Sequence, residues 1–269
     1  MLRALGVIPA RFESARFRGK PLAPLAGGTL LEAVWRGTSA STRLGRVVVA
    51  TEDDRIVEEC RRVGAEVMLT SPDHSSGSDR VAEVVHAVGA GWDVVVNVQG
   101  DEPLVTGRTI DRLVEALAAD PVLDIATPAE PIREIEDLFD PNVVKVVTDG
   151  RGRALYFSRA PIPYRRAAAG ALAADFRATL TGAEALAGYR KHQGIYACRR
   201  DALLRWTGLP VSALERSEGL EQLRALEAGL VIAITPSDFE SIGVDTPQDL
   251  ARAEARMAAL RARAQEAPR

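Results

Sequence analysis

The first 120 residues of this chain repeat one rhythm, and that rhythm limits the folds open to it. Short, largely apolar runs at Ala4 to Ile8, Arg46 to Ala50, Val67 to Leu69 and Val94 to Val98 alternate with longer amphipathic segments. In those segments Ile56, Val57, Cys60 and Val63, then Val81, Val84, Val85 and Val88, then Ile110, Leu113, Val114 and Leu117 recur at helical spacing. Runs this short are strands buried on both faces rather than helices. Strands alternating with helices through short connections predict a parallel sheet with helices on both sides. Thr29 is placed to cap a helix opening at Leu30, and Gly64 to close the one before it.

Beyond Ala119 the pattern loosens. Strands are expected at Ile125 to Pro128, Gly194 to Ala197 and Val231 to Ile234, with short helices at Ile132 to Leu138 and Asp201 to Trp206. Val143 to Thr148 and Ala154 to Phe157 flank Asp149-Gly150, a strong hairpin signal. Ser212 to Glu227 reads as an amphipathic helical region. Thr246, Pro247 and Asp249 form a cap, a first-turn proline and a capping-box acid for a helix running towards Leu260 and then fraying. The alanine-rich stretch 165–188 holds either one helix or a mobile excursion. No linker divides the chain, so residues 130–200 read as an insertion.

At 269 residues the chain is long enough for a full core. A net charge of −3, with arginines interspersed among acids, argues against nucleic-acid binding. Cys60 and Cys198 have no metal or disulfide spacing and fit a reducing compartment. No apolar run approaches membrane length, which predicts a cytoplasmic protein with no membrane contact. Only three of the 34 basic residues are lysine (Lys20, Lys145 and Lys191), so each is a candidate for a specific task.

Two stretches carry the chemistry. Directly after the first run, Gly6 to Leu22 releases Arg11, Arg16, Arg18 and Lys20. Guanidinium forks and backbone N–H groups beyond a strand suit polyphosphate oxygens. The spacing is neither a P-loop nor a dinucleotide fingerprint. A solvated basic loop is the plainer alternative, but it would not require the break at Gly19-Lys20-Pro21. Lys20 is expected against phosphate as a mobile point charge. The second stretch, Gln99 to Pro103, follows the fourth strand at the usual ligand crevice of an open α/β sheet. Asp101 there is suited to Mg2+, and Asp245, at another strand–helix junction, is the best partner carboxylate. The alternative for Asp101-Glu102 is a pair of turn residues. His192 stands at a strand entry. With His74 and His86 it makes no zinc motif.

Together these stretches resemble the 3-deoxy-manno-octulosonate (Kdo) cytidylyltransferases. The likeness rests on I-P-A-R-x-x-S-x-R at Ile8 to Arg16, G-K-P-L at Gly19 to Leu22, D-H-x-S-G-[ST]-[DE]-R at Asp73 to Arg80 and V-N-V-Q-G-D-E-P at Val96 to Pro103. It continues with F-x-P-N-x-V-K-V-V at Phe139 to Val147, A-L-Y-F-S-R at Ala154 to Arg159, H-x-G-I-Y at His192 to Tyr196, L-E-Q-L-R at Leu220 to Arg224 and G-V-D-T-P-x-D-L at Gly243 to Leu250. The resemblance implies a nucleotide-diphosphosugar transferase (Rossmann-like) α/β fold, a mixed sheet flanked by helices with a β-rich extension. Residues 1–129 would be the nucleotide half, and 130–269 the sugar-acid and dimerisation half with a hairpin insertion around 140–200. It implies a homodimer that uses CTP, Kdo and Mg2+ to make CMP-Kdo and pyrophosphate for lipopolysaccharide synthesis. Another keto sugar acid, 8-amino-Kdo or a sialic acid, is the alternative substrate.

By the same likeness Arg11, Arg16 and Lys20 hold phosphates, and Ala10, Arg11, Ser76, Gly77, Arg80 and Gly100 surround the nucleotide. Asp101 and Asp245 ligate the metal. Gln99, Arg159, His192, Tyr196, Glu221 and Gln222 line the sugar pocket. Two positions depart from the family pattern. Arg18 replaces a proline, which either loosens the phosphate loop or adds a cation reaching the triphosphate. Cys198 replaces an aromatic residue, a packing swap.

Overall fold

The computed structural model describes residues 2–13, 16–74, 76–166, 176–177, 180 and 185–266. β1 (Ala4–Pro9) is buried along its whole length. A basic loop leads to a 3-10 turn at Lys20–Leu22, then the small hairpin of β2 (Pro24–Leu25) and β3 (Gly28–Thr29), then α1 (Leu30–Ser39). Thr29 caps α1 by accepting from the Glu32 N–H, as expected. β4 (Leu44–Thr51) and α2 (Asp54–Val63) follow, and Gly64 closes α2 in the left-handed conformation at φ 77°. Next come β5 (Glu66–Leu69), α3 (Gly77–Val88), β6 (Val94–Val98) and α4 (Gly107–Ala119).

The second half contains β7 (Ile125–Pro131), α5 (Ile135–Phe139), β8 (Lys145–Thr148), β9 (Ala154–Ser158), β10 (Arg190–His192) and β11 (Ile195–Arg199). It ends with α6 (Arg200–Thr207), α7 (Ala213–Glu218), α8 (Gln222–Glu227), β12 (Ile232–Pro236) and α9 (Pro247–Glu266). The amphipathic region from Ser212 to Glu227 is thus two helices, parted where Gly219 turns left-handed at φ 62°. α9 continues six residues past Leu260 to Glu266, with Thr246 and Asp249 in reciprocal capping bonds. The hairpin of β8 and β9 forms as predicted, but its turn is not the two-residue one. Asp149 Oδ1 instead accepts from the N–H groups of Arg151 and Arg153, and the left-handed residue is Gly152. Most of the alanine-rich stretch 165–188, and Ser14 in the basic loop, lie outside the described residues.

One ten-stranded sheet runs in the order β5-β4-β1-β6-β11-β7-β10-β8-β9, with β12 on the far edge of β7. The four strands that the first half contributes to it, β1, β4, β5 and β6, are parallel, and β11 joins them antiparallel. One face packs on α1, α2, α4 and α9 through Leu31, Val34, Ile56, Ile110, Leu113 and Ala253. The other packs on α3, α6 and α8 through Val81, Val85, Leu203, Trp206 and Leu223. Each such valine, leucine or isoleucine contributes about 1.5–3 kcal/mol by leaving water, so both layers of helices are firmly held to the sheet.

The sheet forks where the site forms. β10 and β11 are consecutive and both run antiparallel to β7, but they break at Gln193-Gly194. β11 goes on beside β6, whereas β10 goes on beside β8. The carboxyl end of β6 is therefore left facing a cleft rather than a continuous sheet.

Candidate active site

Two adjoining cavities open at the carboxyl ends of β1 and β6. The first, of about 240 Å3, is lined by Pro9, Ala10, Arg11, Glu13, Lys20, Gly77, Gln99, Gly100 and Asp101. β1 delivers the first three, and the turn after β6 delivers the last three. Gly100 is required there: a Cβ would stand 2.9 Å from the Pro9 carbonyl oxygen. Arg11 reaches across to donate to the His74 carbonyl at 2.8 Å. The second cavity, of about 460 Å3, lies at the fork and is lined by Arg16, Lys191, His192, Gly194, Tyr196, Gln222, Asp245 and the 137–144 segment, among others.

Lys20 joins the two. Its Nζ lies 3.0 Å from Asp101 Oδ2 and 3.2 Å from Asp245 Oδ1, and Arg16 donates to the other Asp245 oxygen at 2.9 Å. Burial works against the ammonium, but Asp101 and then Asp245 outweigh it and hold its pKa above the ordinary value. Residues from three separate parts of the chain thus meet around one ammonium. The two carboxylates converge on a single cation, which is the arrangement expected of metal-holding acids. Among the described residues no three His, Cys, Asp or Glu side chains gather to hold a metal by themselves.

His192 is buried at the back of the second cavity, edge-on to Phe157 and tilted against Tyr196. Burial lowers its pKa to about 3, so the ring is neutral. The Thr127 hydroxyl lies 2.7 Å from the Ile195 carbonyl and 2.9 Å from His192 Nε2. The hydroxyl has one proton and gives it to the carbonyl, so Nε2–H donates to Thr127 and Nδ1 is left as an acceptor.

The sequence and fold find close counterparts. A cytidylyltransferase family model matches residues 5–238. The 3-deoxy-manno-octulosonate cytidylyltransferase of Syntrophotalea carbinolica is 48% identical over 254 residues, covering 94% of this chain and 98% of that protein. That of Geobacter sulfurreducens is 46% identical, covering 91% and 95%. A solved CMP:2-keto-3-deoxy-manno-octonic acid synthetase complexed with CTP superposes with a TM-score of 0.83 at 38% identity, covering 96% of this chain and 99% of that one. The chain belongs to the 3-deoxy-manno-octulosonate cytidylyltransferase family.

Four residues expected at the site from the family likeness line neither cavity. The Ser76 hydroxyl caps α3, accepting from the Asp79 N–H at 3.1 Å, while its own N–H donates to Asp79. Arg80, in the first turn of α3, is fully buried, paired with Glu52 at 2.6 Å and bonded to Thr70. Arg159 spends its guanidinium on the carbonyls of Glu218, Pro141 and Gly219, bracing β9 against α7. Glu221 accepts from Ser78 at 2.7 Å, and burial raises its pKa. Lys145 is likewise buried, donating to the carbonyls of Asp140, Val143 and Arg159. Cys198 packs in the core, and Arg18 is tied to Glu13 at the rim.

Sequence reasoning in this cytidylyltransferase family member missed a polar network beneath Asp101. Burial and then the neighbouring Asp101 charge push the Glu102 carboxyl up to about 8. The Ser241 hydroxyl lies 2.8 Å from both its oxygens. Ser241 N–H donates to Glu130, and Lys191 Nζ donates to the Ser241 carbonyl at 2.9 Å. This network ties down the irregular segment that leads from β12 to Asp245. The scarcity of lysine was the one available signal, since all three lysines are buried or nearly so.

Proposed function

We infer that this chain transfers CMP from CTP to the anomeric hydroxyl of Kdo, releasing pyrophosphate and forming CMP-Kdo for lipopolysaccharide synthesis. The observation that carries this is the junction at Lys20, where Asp101 and Asp245 meet between a cavity suited to polyphosphate and a cavity suited to a sugar acid. Family membership supports the same reaction. In it the anomeric oxygen bonds to the α-phosphorus, the bond to the bridging oxygen breaks, and that oxygen leaves with pyrophosphate.

Each residue then has a task that its position supports. Arg11, Arg16 and Lys20 supply the positive charge that holds the phosphates and offsets charge building on their oxygens. Ala10, Gly77 and Gly100 line the nucleotide cavity with little or no side chain, and at Gly100 a Cβ would meet the Pro9 carbonyl. Tyr196, Gln222 and neutral His192 orient the sugar acid, with Gln99 reaching its edge from the first cavity beside Gly194, and His192 acts through Nδ1 as an acceptor rather than as a cation. Alignment of hydroxyl with phosphorus is the main contribution of such a site.

Asp101 and Asp245 would hold Mg2+, a hard cation that takes one or two carboxylates and completes its shell with water and phosphate oxygens. Bound there, the ion would neutralise phosphate charge and make the attacking hydroxyl more acidic. The same reading takes residues 1–129 as the nucleotide half and 130–269 as the sugar-acid half of a cytoplasmic homodimer. Sedimentation analysis tests the dimer: a single monomeric species at micromolar concentration would remove it.

Pyrophosphate release from CTP, Mg2+ and Kdo tests the reaction, with ATP and UTP as nucleotide controls and 8-amino-Kdo and a sialic acid as alternative acceptors. Release requiring both CTP and Kdo, abolished by EDTA and restored by Mg2+, is expected. Release with another sugar acid alone would overturn the substrate, and activity undiminished by EDTA would overturn the metal.

A further inference from the structure

We propose that Phe12, clamped beneath the guanidinium of Arg55, is the positioning residue that sets Lys20 in place. The proposal rests on the reading of Lys20 as the lysine that holds phosphate. The Arg55 guanidinium carbon lies 3.2 Å over the centre of the Phe12 ring. Such a contact, cation against the negative face of the ring, is attractive and directional.

This arginine is not free to swing. Asp53 grips its fork from below, with Nε to Oδ1 at 2.9 Å and Nη2 to Oδ2 at 2.6 Å. Asp53 is also the N-cap of α2, accepting from the Arg55 N–H at 3.0 Å. α2 in turn is anchored to the core through Ile56 and Cys60. The cation over Phe12 is therefore fixed to the body of the molecule.

At its outer edge the Phe12 ring abuts Gly19. A Cβ at Gly19 would stand 3.1 Å from Phe12 Cζ, and Gly19 is left-handed at φ 71°. The Gly19 N–H donates to the Phe12 carbonyl at 2.8 Å, so both backbone and ring fasten the two ends of the loop. Lys20 is the next residue. A continuous line of contacts thus runs from Asp53 through Arg55, Phe12 and Gly19 to the ammonium between Asp101 and Asp245.

Arg18 belongs to the same assembly. Its guanidinium is 5.9 Å from the Phe12 ring, and Glu13 pairs with it at 2.9 Å while lying 4.0 Å from Arg55. The replacement of proline by arginine at this position is thereby accommodated: the stiffness a proline ring would give is supplied by side-chain contacts on Phe12.

The test is calorimetric CTP binding together with KM and kcat from pyrophosphate release, for wild type, Arg55→Ala, Arg55→Lys, Phe12→Leu and Phe12→Tyr. Melting temperatures are measured alongside. Arg55→Ala and Phe12→Leu are expected to raise Kd and KM for CTP about three- to tenfold at near wild-type melting temperature. Arg55→Lys and Phe12→Tyr, which keep a cation and a ring, should restore most of the affinity. Unchanged CTP affinity in the folded Arg55→Ala and Phe12→Leu proteins would overturn the proposal. So would equal losses in the conservative and the disruptive variants. Should Phe12→Leu not fold, Arg55→Ala decides, since half of that side chain is in solvent. Wild type that binds no CTP would instead remove the phosphate reading itself, and is recognised before any substitution is made.

Discussion

Lys20 is only 15% exposed at its side chain, yet it keeps its charge because two carboxylates face it within 3.2 Å. Replacing it with methionine would leave Asp101 and Asp245 repelling each other and take one phosphate-holding charge away. We expect Lys20→Met to lower kcat/KM by about a hundredfold, as removal of one electrostatic donor does elsewhere. Pyrophosphate-release kinetics check this, and a loss under threefold would exclude the role. At this scale residue type alone was a mixed guide. Arg80 and Arg159 share the chemistry of Arg11 and Arg16, but Arg80 is buried against Glu52 and Thr70, and Arg159 is bonded to backbone carbonyls. Only the directions of the side chains separate a brace from a ligand, and linear order does not contain those directions.

Between elements, the close approach of the turn after β6 to the end of β1 depends on Gly100. A methyl group there would meet the Pro9 carbonyl oxygen at 2.9 Å, a backbone atom that cannot rotate away. Gly100→Ala must therefore push the turn bearing Asp101 off the end of β1. Overpacking of this kind costs about 1–3 kcal/mol. Melting should fall by several degrees, and turnover by at least about tenfold, because Asp101 moves with the turn. Calorimetry and kinetics on the one variant test both, and wild-type turnover would show that the close approach is dispensable. The elements themselves were largely legible. Thr29 and Gly64 bound their helices because caps are local chemistry. The hairpin around Asp149-Gly150 was legible too, whereas its turn geometry, with the Asp149 carboxylate taking two N–H groups and Gly152 left-handed, was not.

For the molecule as a whole, His192 links the site to acid stability. Its pKa falls from 6.5 to about 3 on folding, through burial. The unfolded chain therefore binds this proton more readily between those values. Stability is complete above pH 6.5 and declines as pH drops towards 3, by up to about 1.4 kcal/mol per unit. His192→Gln, which keeps a donor towards Thr127, should flatten that limb in denaturant titrations at pH 4 to 6 relative to pH 8. Parallel curves for the two proteins would refute it. The sequence by itself determined the alternation of strands and helices, the caps, the basic loop and the family, since periodicity and motifs are properties of neighbours along the chain. Tertiary structure alone decided the break at Gln193-Gly194 that opens the cleft, the meeting of Lys20 with Asp101 and Asp245, and the burial of Glu102 beneath them. These depend on contacts across 81 to 225 residues of chain, whose geometry follows from how the whole sheet packs rather than from any local pattern.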